Sequence, residues 1–187
     1  IEALTPALRN LARQTGFSMN EIVEGFDTLR ENAGLSLADA QKLFPVIAKG
    51  AQAAGVSAKD MSTSFAAMMV NAGVQGKEAV AIMNQMVKAG EDYRLEFEKL
   101  VQASPRLTEV MGEWGFTGAR GNAATLAWLG SLRKVTAGTD EAAEALSKVM
   151  ELMTNPAVVA KLGHTPDTMA DGLKRAQAQG KDTLSVF

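Results

Sequence analysis

Apolar residues recur along the chain at the three- and four-residue spacing that gives a helix one buried face. The first such series is Met19, Ile22, Val23, Phe26, Leu29 and Ala33, and the second is Leu37, Ala40, Leu43, Phe44, Ile47 and Ala51. No run of five or more residues shows the alternation of Val, Ile, Thr and aromatic residues that is typical of strands. The pattern predicts an all-α fold of about eight or nine helices with no sheet.

The predicted helices of the first half begin at one short motif: a glycine, an apolar residue, a serine, and an acidic residue three positions after the serine. Glycine accepts the left-handed backbone that ends a helix, the serine Oγ accepts a hydrogen bond from a free amide of the next helix, and the carboxylate can accept one from the serine amide. The motif predicts tight helix-to-helix corners. The corner residues are Gly16, Ser18, Glu21, Gly34, Ser36, Asp39, Gly55, Ser57 and Asp60, with Gly73 and Gly115 as corner glycines that lack the serine.

The spacing of the corner glycines indicates an internal repeat. From Gly16 to Gly73 they are separated by 18, 21 and 18 residues. We predict two copies of a 39-residue helical hairpin, at residues 16–54 and 55–93, followed by a less regular helical part at residues 104–187. Stacked hairpins of this kind form a short α-solenoid or an irregular helical bundle.

Prolines add further predictions about the helices. Pro45 falls inside the second apolar series, where it removes an amide donor, so we expect a kink or a break there. In the second half, three prolines follow a residue whose side chain can cap a helix, which predicts helix starts. These pairs are Ser104-Pro105, Asn155-Pro156 and Thr165-Pro166, and helices are predicted between them at about residues 122–136 and 140–153.

Charge and composition narrow the function. The 187 residues include 19 Lys and Arg and 21 Asp and Glu, with both signs mixed along the chain, so we expect no specific nucleic-acid binding and no anionic-membrane footprint. The chain has no cysteine and one histidine, His164, which excludes disulfides and any site that needs two histidines. The longest apolar run, residues 65–70, is far too short for a membrane-spanning helix.

A glycine-spaced segment could in principle hold a phosphate. Its residues are Gly112, Trp114, Gly115, Phe116, Gly118, Arg120 and Gly121. A phosphate loop needs a Lys-Ser or Lys-Thr pair and a preceding strand, and the sequence has neither here. We therefore predict a flexible turn between two helices.

Two carboxylate pairs could in principle serve as catalytic acid and base. Glu96 and Glu98 are two residues apart and so point away from each other on a helix, whereas Glu109 and Glu113 are typical of a solvated face. No nucleophile with an adjacent base is visible. We predict a non-enzymatic protein with no catalytic, cofactor-binding or metal-binding residue.

Methionines could line a flexible binding groove. Met68, Met69, Met83 and Met86 fall at core spacing, however, which favours packing over a groove.

The order of the corner motifs resembles the core region of phage tail tape-measure proteins. In the first half, the matching segments are residues 15–18 (Thr-Gly-Phe-Ser), 32–36 (Asn-Ala-Gly-Leu-Ser), 53–57 (Ala-Ala-Gly-Val-Ser) and 71–74 (Asn-Ala-Gly-Val). In the second half, they are Ser104-Pro105, residues 114–116 (Trp-Gly-Phe), 126–129 (Leu-Ala-Trp-Leu), 153–156 (Met-Thr-Asn-Pro) and Leu162-Gly163. The resemblance covers about residues 15–173.

The resemblance implies a long helical virion protein of a bacteriophage or prophage, several times longer than this chain. Such a protein lies in the lumen of the tail tube, sets tail length, assists tail assembly, and leaves ahead of the DNA at infection. Implied partners are the tail tube protein, tail assembly chaperones, other copies in the lumen and the host envelope, and before assembly the protein is in the host cytoplasm. Because the chain begins at Ile1 without an initiator Met, we expect residues 1–187 to be a single helical fragment of a longer protein.

Two other functional classes of protein are compatible with the sequence. A partner-binding helical adaptor of another assembly would carry a groove lined by Met68, Met83 or Met86. A membrane-active helical domain used in genome delivery would open a hairpin such as residues 57–89 onto a bilayer.

Overall fold

Nine α-helices and one 3-10 turn make up the described part of this computed structural model, which covers residues 4–161 and residues 171, 172, 175 and 179. These residues contain no strand, so the predicted all-α class is confirmed. In chain order the helices are α1 (Thr5–Thr15), α2 (Met19–Asn32), α3 (Leu37–Ala54), α4 (Ala58–Asn71), α5 (Ala79–Tyr93), α6 (Phe97–Glu113), α7 (Gly118–Arg133), α8 (Thr139–Thr154) and α9 (Pro156–Lys161). The 3-10 turn, Gly76–Glu78, lies directly before α5.

Helices that are two apart in the chain pack side by side, which produces two layers. One layer is α2, α4, α6 and α8, and the other is α1, α3, α5 and α7. Consecutive helices such as α3 and α4, or α7 and α8, pack across the layers. This is the stacked arrangement of helical hairpins that the sequence predicts.

The core runs between the layers without interruption. α4 lies at its centre, in contact with α2, α3 and α6, and its Phe65 is fully buried. Phe26 of α2 and Phe44 of α3 meet edge to face, with ring centroids 5.5 Å apart. Buried apolar residues join one cluster from Leu4 to Val159, so the described helices share one continuous core.

Three of the four methionines that the sequence places at core spacing belong to this core. Met68, Met83 and Met86 are buried, as the packing interpretation predicts, whereas Met69 is partly buried and borders a surface cleft of about 430 Å³. Met68 and Met86 border a cavity of only about 20 Å³, which is room for a single water molecule. These two side chains therefore do not line an open groove.

One of the proline predictions is wrong, because α6 continues through Pro105 instead of starting there. At Pro45, where a kink or a break is expected, α3 is not broken and runs from Leu37 to Ala54. Ser104 does not cap a helix: its hydroxyl donates to the Leu100 carbonyl at 2.6 Å, within the same helix. Because α6 buries a full apolar face on both sides of Pro105, packing maintains the helix despite the missing amide.

Asn155-Pro156 does start a helix, as predicted. Pro156 is the first residue of α9, and the Asn155 side chain accepts a hydrogen bond from the Ala157 amide at 3.0 Å. The predicted start at Thr165-Pro166 and the residue His164 lie outside the described residues.

Candidate functional site

Three helices start at serine corners. Ser18 Oγ accepts a hydrogen bond from the Glu21 amide at 3.3 Å, and the Glu21 carboxylate accepts one from the Ser18 amide at 2.7 Å. Hydrogen bonds with Ser18 lower the pKa of Glu21. The amides of Asp39 and Asp60 donate to Ser36 and Ser57 at 3.1 and 3.0 Å. The glycines at these corners have left-handed backbone, with φ of 76° at Gly16, 62° at Gly34 and 70° at Gly55.

The fourth corner is built differently because it lacks a serine. After Gly73, whose φ is 61°, the Gln75 amide donates to the Glu78 carboxylate at 2.8 Å. The second oxygen of Glu78 accepts a hydrogen bond from the Ala119 amide at 2.9 Å, in the first turn of α7. Glu78 therefore satisfies free amides at two helix starts that are about 40 residues apart in the chain.

The corner between α4 and α5 locks onto the corner between α6 and α7. The Gly118 amide donates to the Ala72 carbonyl at 2.8 Å. A Cβ atom at Gly112 would lie 2.0 Å from the Asn71 carbonyl oxygen, so only glycine allows this approach of α6 to α4. We call the contact of residues 71–78 with residues 112–119 the corner interlock.

The glycine-spaced segment is thus part of helix packing. Gly112 lies in α6, Gly118 and Gly121 lie in α7, and Gly115 has a φ of 76° in the turn between these helices. The neighbouring Trp114 and Phe116 are buried. A turn between two helices is present here, as the sequence predicts, and the segment around it is held by the core and by backbone hydrogen bonds.

A second long-range link joins the starts of α6 and α8. The Glu96 amide donates to Thr139 Oγ1 at 2.9 Å, and both the hydroxyl and the amide of Thr139 donate to the Glu96 carboxylate. Thr139 is fully buried, and the preceding residue, Gly138, has no side chain with which to cap α8. Glu96 is therefore a structural cap for a neighbouring helix, and its carboxylate accepts the hydrogen bonds of Thr139.

Neither long-range cap follows from the local motifs of the sequence, although one signal points to the cap at Glu78. A shift of 39 residues aligns Glu78 with Asp39, the acid of a serine corner. Glu78 therefore keeps the acidic residue of the corner motif, although Gln75 stands where the motif has its serine. That α7 begins at Gly118, about four residues before the predicted start, follows from the cap that Glu78 supplies to it.

Because these two caps are carboxylates, the stability of the fold depends on pH in the acidic range. The amides of Gln75 and then Ala119 lower the pKa of Glu78 from its ordinary value of 4.5, with a smaller contribution from Lys77. The hydrogen bond from the Thr139 side chain is the main cause that lowers the pKa of Glu96. Since the folded pKa lies below the unfolded one, each carboxylate stabilises the fold above about pH 4.5, and this contribution is lost as the pH falls further.

A Glu78→Gln variant is expected to lose about 1 kcal/mol of stability at pH 7, because one neutral amide oxygen replaces two charged acceptors. Its stability is also expected to fall less than that of the native chain between pH 5 and pH 3. Urea unfolding at a series of pH values measures both effects. The exposed Glu109→Gln variant serves as the control. Equal acid sensitivity of the native chain and Glu78→Gln would contradict the assigned role of Glu78.

Among the described residues, no cluster of three or more His, Asp or Glu side chains could hold a metal ion. No helix in the same part of the chain is long and apolar enough to cross a membrane. Of the residues that could have carried chemistry, Glu96 caps a neighbouring helix and Gly112 and Gly118 belong to the corner interlock, whereas Glu109 and Glu113 are exposed.

The comparison with known protein families gives a match over nearly the whole chain. Residues 6–186 match the family described as phage-related minor tail protein. No curated protein and no solved structure matches the chain. The matched range contains α2 to α9 in full, so the helical layers and the corner interlock lie within the family region. The chain belongs to the phage-related minor tail protein family and has a structural role in a phage tail.

Proposed function

We propose that the chain is a segment of a tail tape-measure protein, which sets tail length and assists tail assembly and DNA ejection. Membership in a phage tail family is the observation that carries the proposal. The order of the corner motifs and the helical content support it. Its role in the virion is mechanical, without catalysis.

A ruler needs a fixed conversion of residues into length, and a continuous helix provides one at about 1.5 Å per residue. The folded layers do not extend in this way, because the chain reverses at each corner. Each serine corner has one left-handed glycine, such as Gly34 or Gly55, followed by two residues before the next helix. Glycine moves between left- and right-handed backbone at little cost, so a corner of this kind can become continuous helix under tension.

The proposed location is the lumen of the tail tube, after synthesis in the host cytoplasm. There the chain would contact the tail tube protein and other copies of itself, with tail assembly chaperones as earlier partners and the host envelope as a later one. Residues 16–54 and 55–93 would act as two equivalent units of length within a longer protein.

Deletion of one unit tests this proposal. With residues 16–54 removed in frame from the parent gene, an extended helical ruler gives tails that are shorter by roughly 58 Å. Electron microscopy of purified tails measures the difference. A matched control replaces residues 16–54 with a second copy of residues 55–93, which keeps the residue count and should keep the length.

Unchanged tail length in the deletion would mean that the segment is a folded module beside the ruler. Tails of normal length, number and infectivity in the deletion would overturn the tape-measure proposal altogether.

A further inference from the structure

A surface cleft lies where the C-terminal ends of α5 and α7 meet. It has a volume of about 400 Å³ and is lined by Asp92, Tyr93, Arg94, Gly130, Arg133, Lys134 and Thr136. The two helices approach closely here, at a position where α7 has a glycine. A Cβ atom at Gly130 would lie only 2.3 Å from the Tyr93 ring. The close contact fixes the position of the charged residues that follow each helix.

Three of the lining residues are cations that keep their charge available. Among the described residues, no ion pair involves Arg94, Arg133 or Lys134. Arg133 donates through one terminal nitrogen to the Thr136 carbonyl at 2.8 Å, while its Nε is buried with no hydrogen-bond partner. The terminal nitrogens of a guanidinium carry four N–H donors, so this one hydrogen bond leaves terminal donors for an anion, whereas the buried Nε is not accessible from the cleft.

The nearby acids are already engaged. The Asp92 carboxylate lies 2.9 Å from Lys88 Nζ, on its own helix. The Glu96 carboxylate lies close enough to Arg133 for that charge to contribute to its lowered pKa, but it accepts its hydrogen bonds from Thr139. Positive charge therefore exceeds negative charge around the cleft.

The strained backbone at Arg94 is a second observation, independent of charge, that points to a functional role for this residue. Arg94 ends α5 with a φ of 56° and is the one residue other than glycine with positive φ among the described residues. Glycine is the usual residue at such a helix end because it is not strained there. Strained backbone of this kind concentrates at functional sites.

We propose that this cleft binds a phosphate group, with Arg94, Arg133 and Lys134 as its cationic contacts. Guanidinium groups pair with phosphate oxygens through two parallel hydrogen bonds, and an ammonium adds a point charge. Phosphate is favoured over a single carboxylate because it presents enough oxygens for all three cations at once. The proposal does not depend on the tape-measure function.

The phosphate could be a free ion or the headgroup of a lipid. Val135 directly follows Lys134 and is 82% exposed, the largest value for a bulky apolar residue in the described part of the chain. An exposed apolar side chain beside cations is also the arrangement that binds an anionic membrane surface. The experiment therefore needs one arm for each source.

The first arm titrates the ¹⁵N-labelled 187-residue chain with sodium phosphate at constant ionic strength. Saturable amide shifts are expected around residues 93–95 and 130–136. The double variant Arg94→Gly/Lys134→Ser should bind about tenfold more weakly or worse, since it removes two charge-assisted contacts. Because glycine suits the backbone at position 94, this variant is expected to fold.

The matched control is Arg9→Ser/Lys49→Ser, which removes the same amount of charge from two exposed positions on α1 and α3. Its phosphate affinity should equal that of the native chain. If the control weakens binding as much as the double variant does, net charge is the cause and the proposal is wrong.

The second arm uses vesicles of phosphatidylcholine with and without phosphatidylglycerol, and measures co-sedimentation. Binding to the anionic vesicles that is lost in both Arg94→Gly/Lys134→Ser and Val135→Ser supports the site with a lipid headgroup as ligand. Phosphate binding that is unaffected by Val135→Ser, without vesicle binding, supports it with a free phosphate. If neither saturable phosphate shifts nor binding to anionic vesicles is observed, the proposal is overturned.

Discussion

A Gly112→Ala variant is expected to lose about 3 kcal/mol of folding free energy, or more, because the new methyl group has no room in the corner interlock. The added Cβ would lie 2.0 Å from the Asn71 carbonyl oxygen and 2.8 Å from its carbonyl carbon. These are backbone atoms at the end of α4, so no side chain can rotate away. α6 must instead move from α4, which also strains the hydrogen bond between Gly118 and Ala72.

Urea unfolding followed by circular dichroism measures this loss. Gly76→Ala is the matched control in the same interlock, since its Cβ would meet Leu43 at an ordinary 3.7 Å. The control should change stability by less than about 0.5 kcal/mol. If the two variants are equally stable, α4 and α6 do not approach each other as closely as the structure shows.

A Phe65→Ala variant is expected to lose about 3–5 kcal/mol, since the side chain is fully buried in the central helix of the fold. α4 contacts α2, α3 and α6, so the space left by the ring would border three helices. The cavity lies in the middle of a continuous core, where the neighbouring helices are held on both sides and cannot collapse into it. The loss should therefore lie toward the upper end of this range.

Thermal and urea unfolding give the size of the effect. Val70→Ala on the same helix is the control, because Val70 is 62% exposed and its truncation leaves no cavity. A loss below about 1 kcal/mol for Phe65→Ala would contradict the central position of α4 in the core.

The elements that sequence reasoning predicts well are the ones that depend on neighbouring residues. Apolar spacing identifies the helices, and a serine cap acts over three residues, so the starts of α2, α3 and α4 can be read from the chain. Ser104-Pro105 is the instructive failure. The pair matches a local helix start, but burial of α6 on both sides of Pro105 outweighs that preference.

The candidate sites were harder to predict because they join distant parts of the chain. Glu78 caps a helix start 41 residues away, and Glu96 one that is 43 residues away. The cations of the proposed phosphate-binding cleft come from two distant parts of the chain, Arg94 from one and Arg133 and Lys134 from the other. The sequence therefore shows no basic segment that would indicate the cleft. Pairing over such distances depends on how the layers stack, which periodicity alone does not determine.

The two kinds of cap differ in how well the chain should tolerate changes of length. At the serine corners, donor and acceptor lie within four consecutive residues, so a hairpin unit that is gained or lost takes its own caps with it. After α5, the starts of α6, α7 and α8 depend on partners about 40 residues away in the chain, so removal of one of these segments would leave amides of another without an acceptor. Gain or loss of a hairpin is therefore compatible with the caps of the N-terminal half, whereas α6, α7 and α8 are expected to tolerate a change of length only as one block.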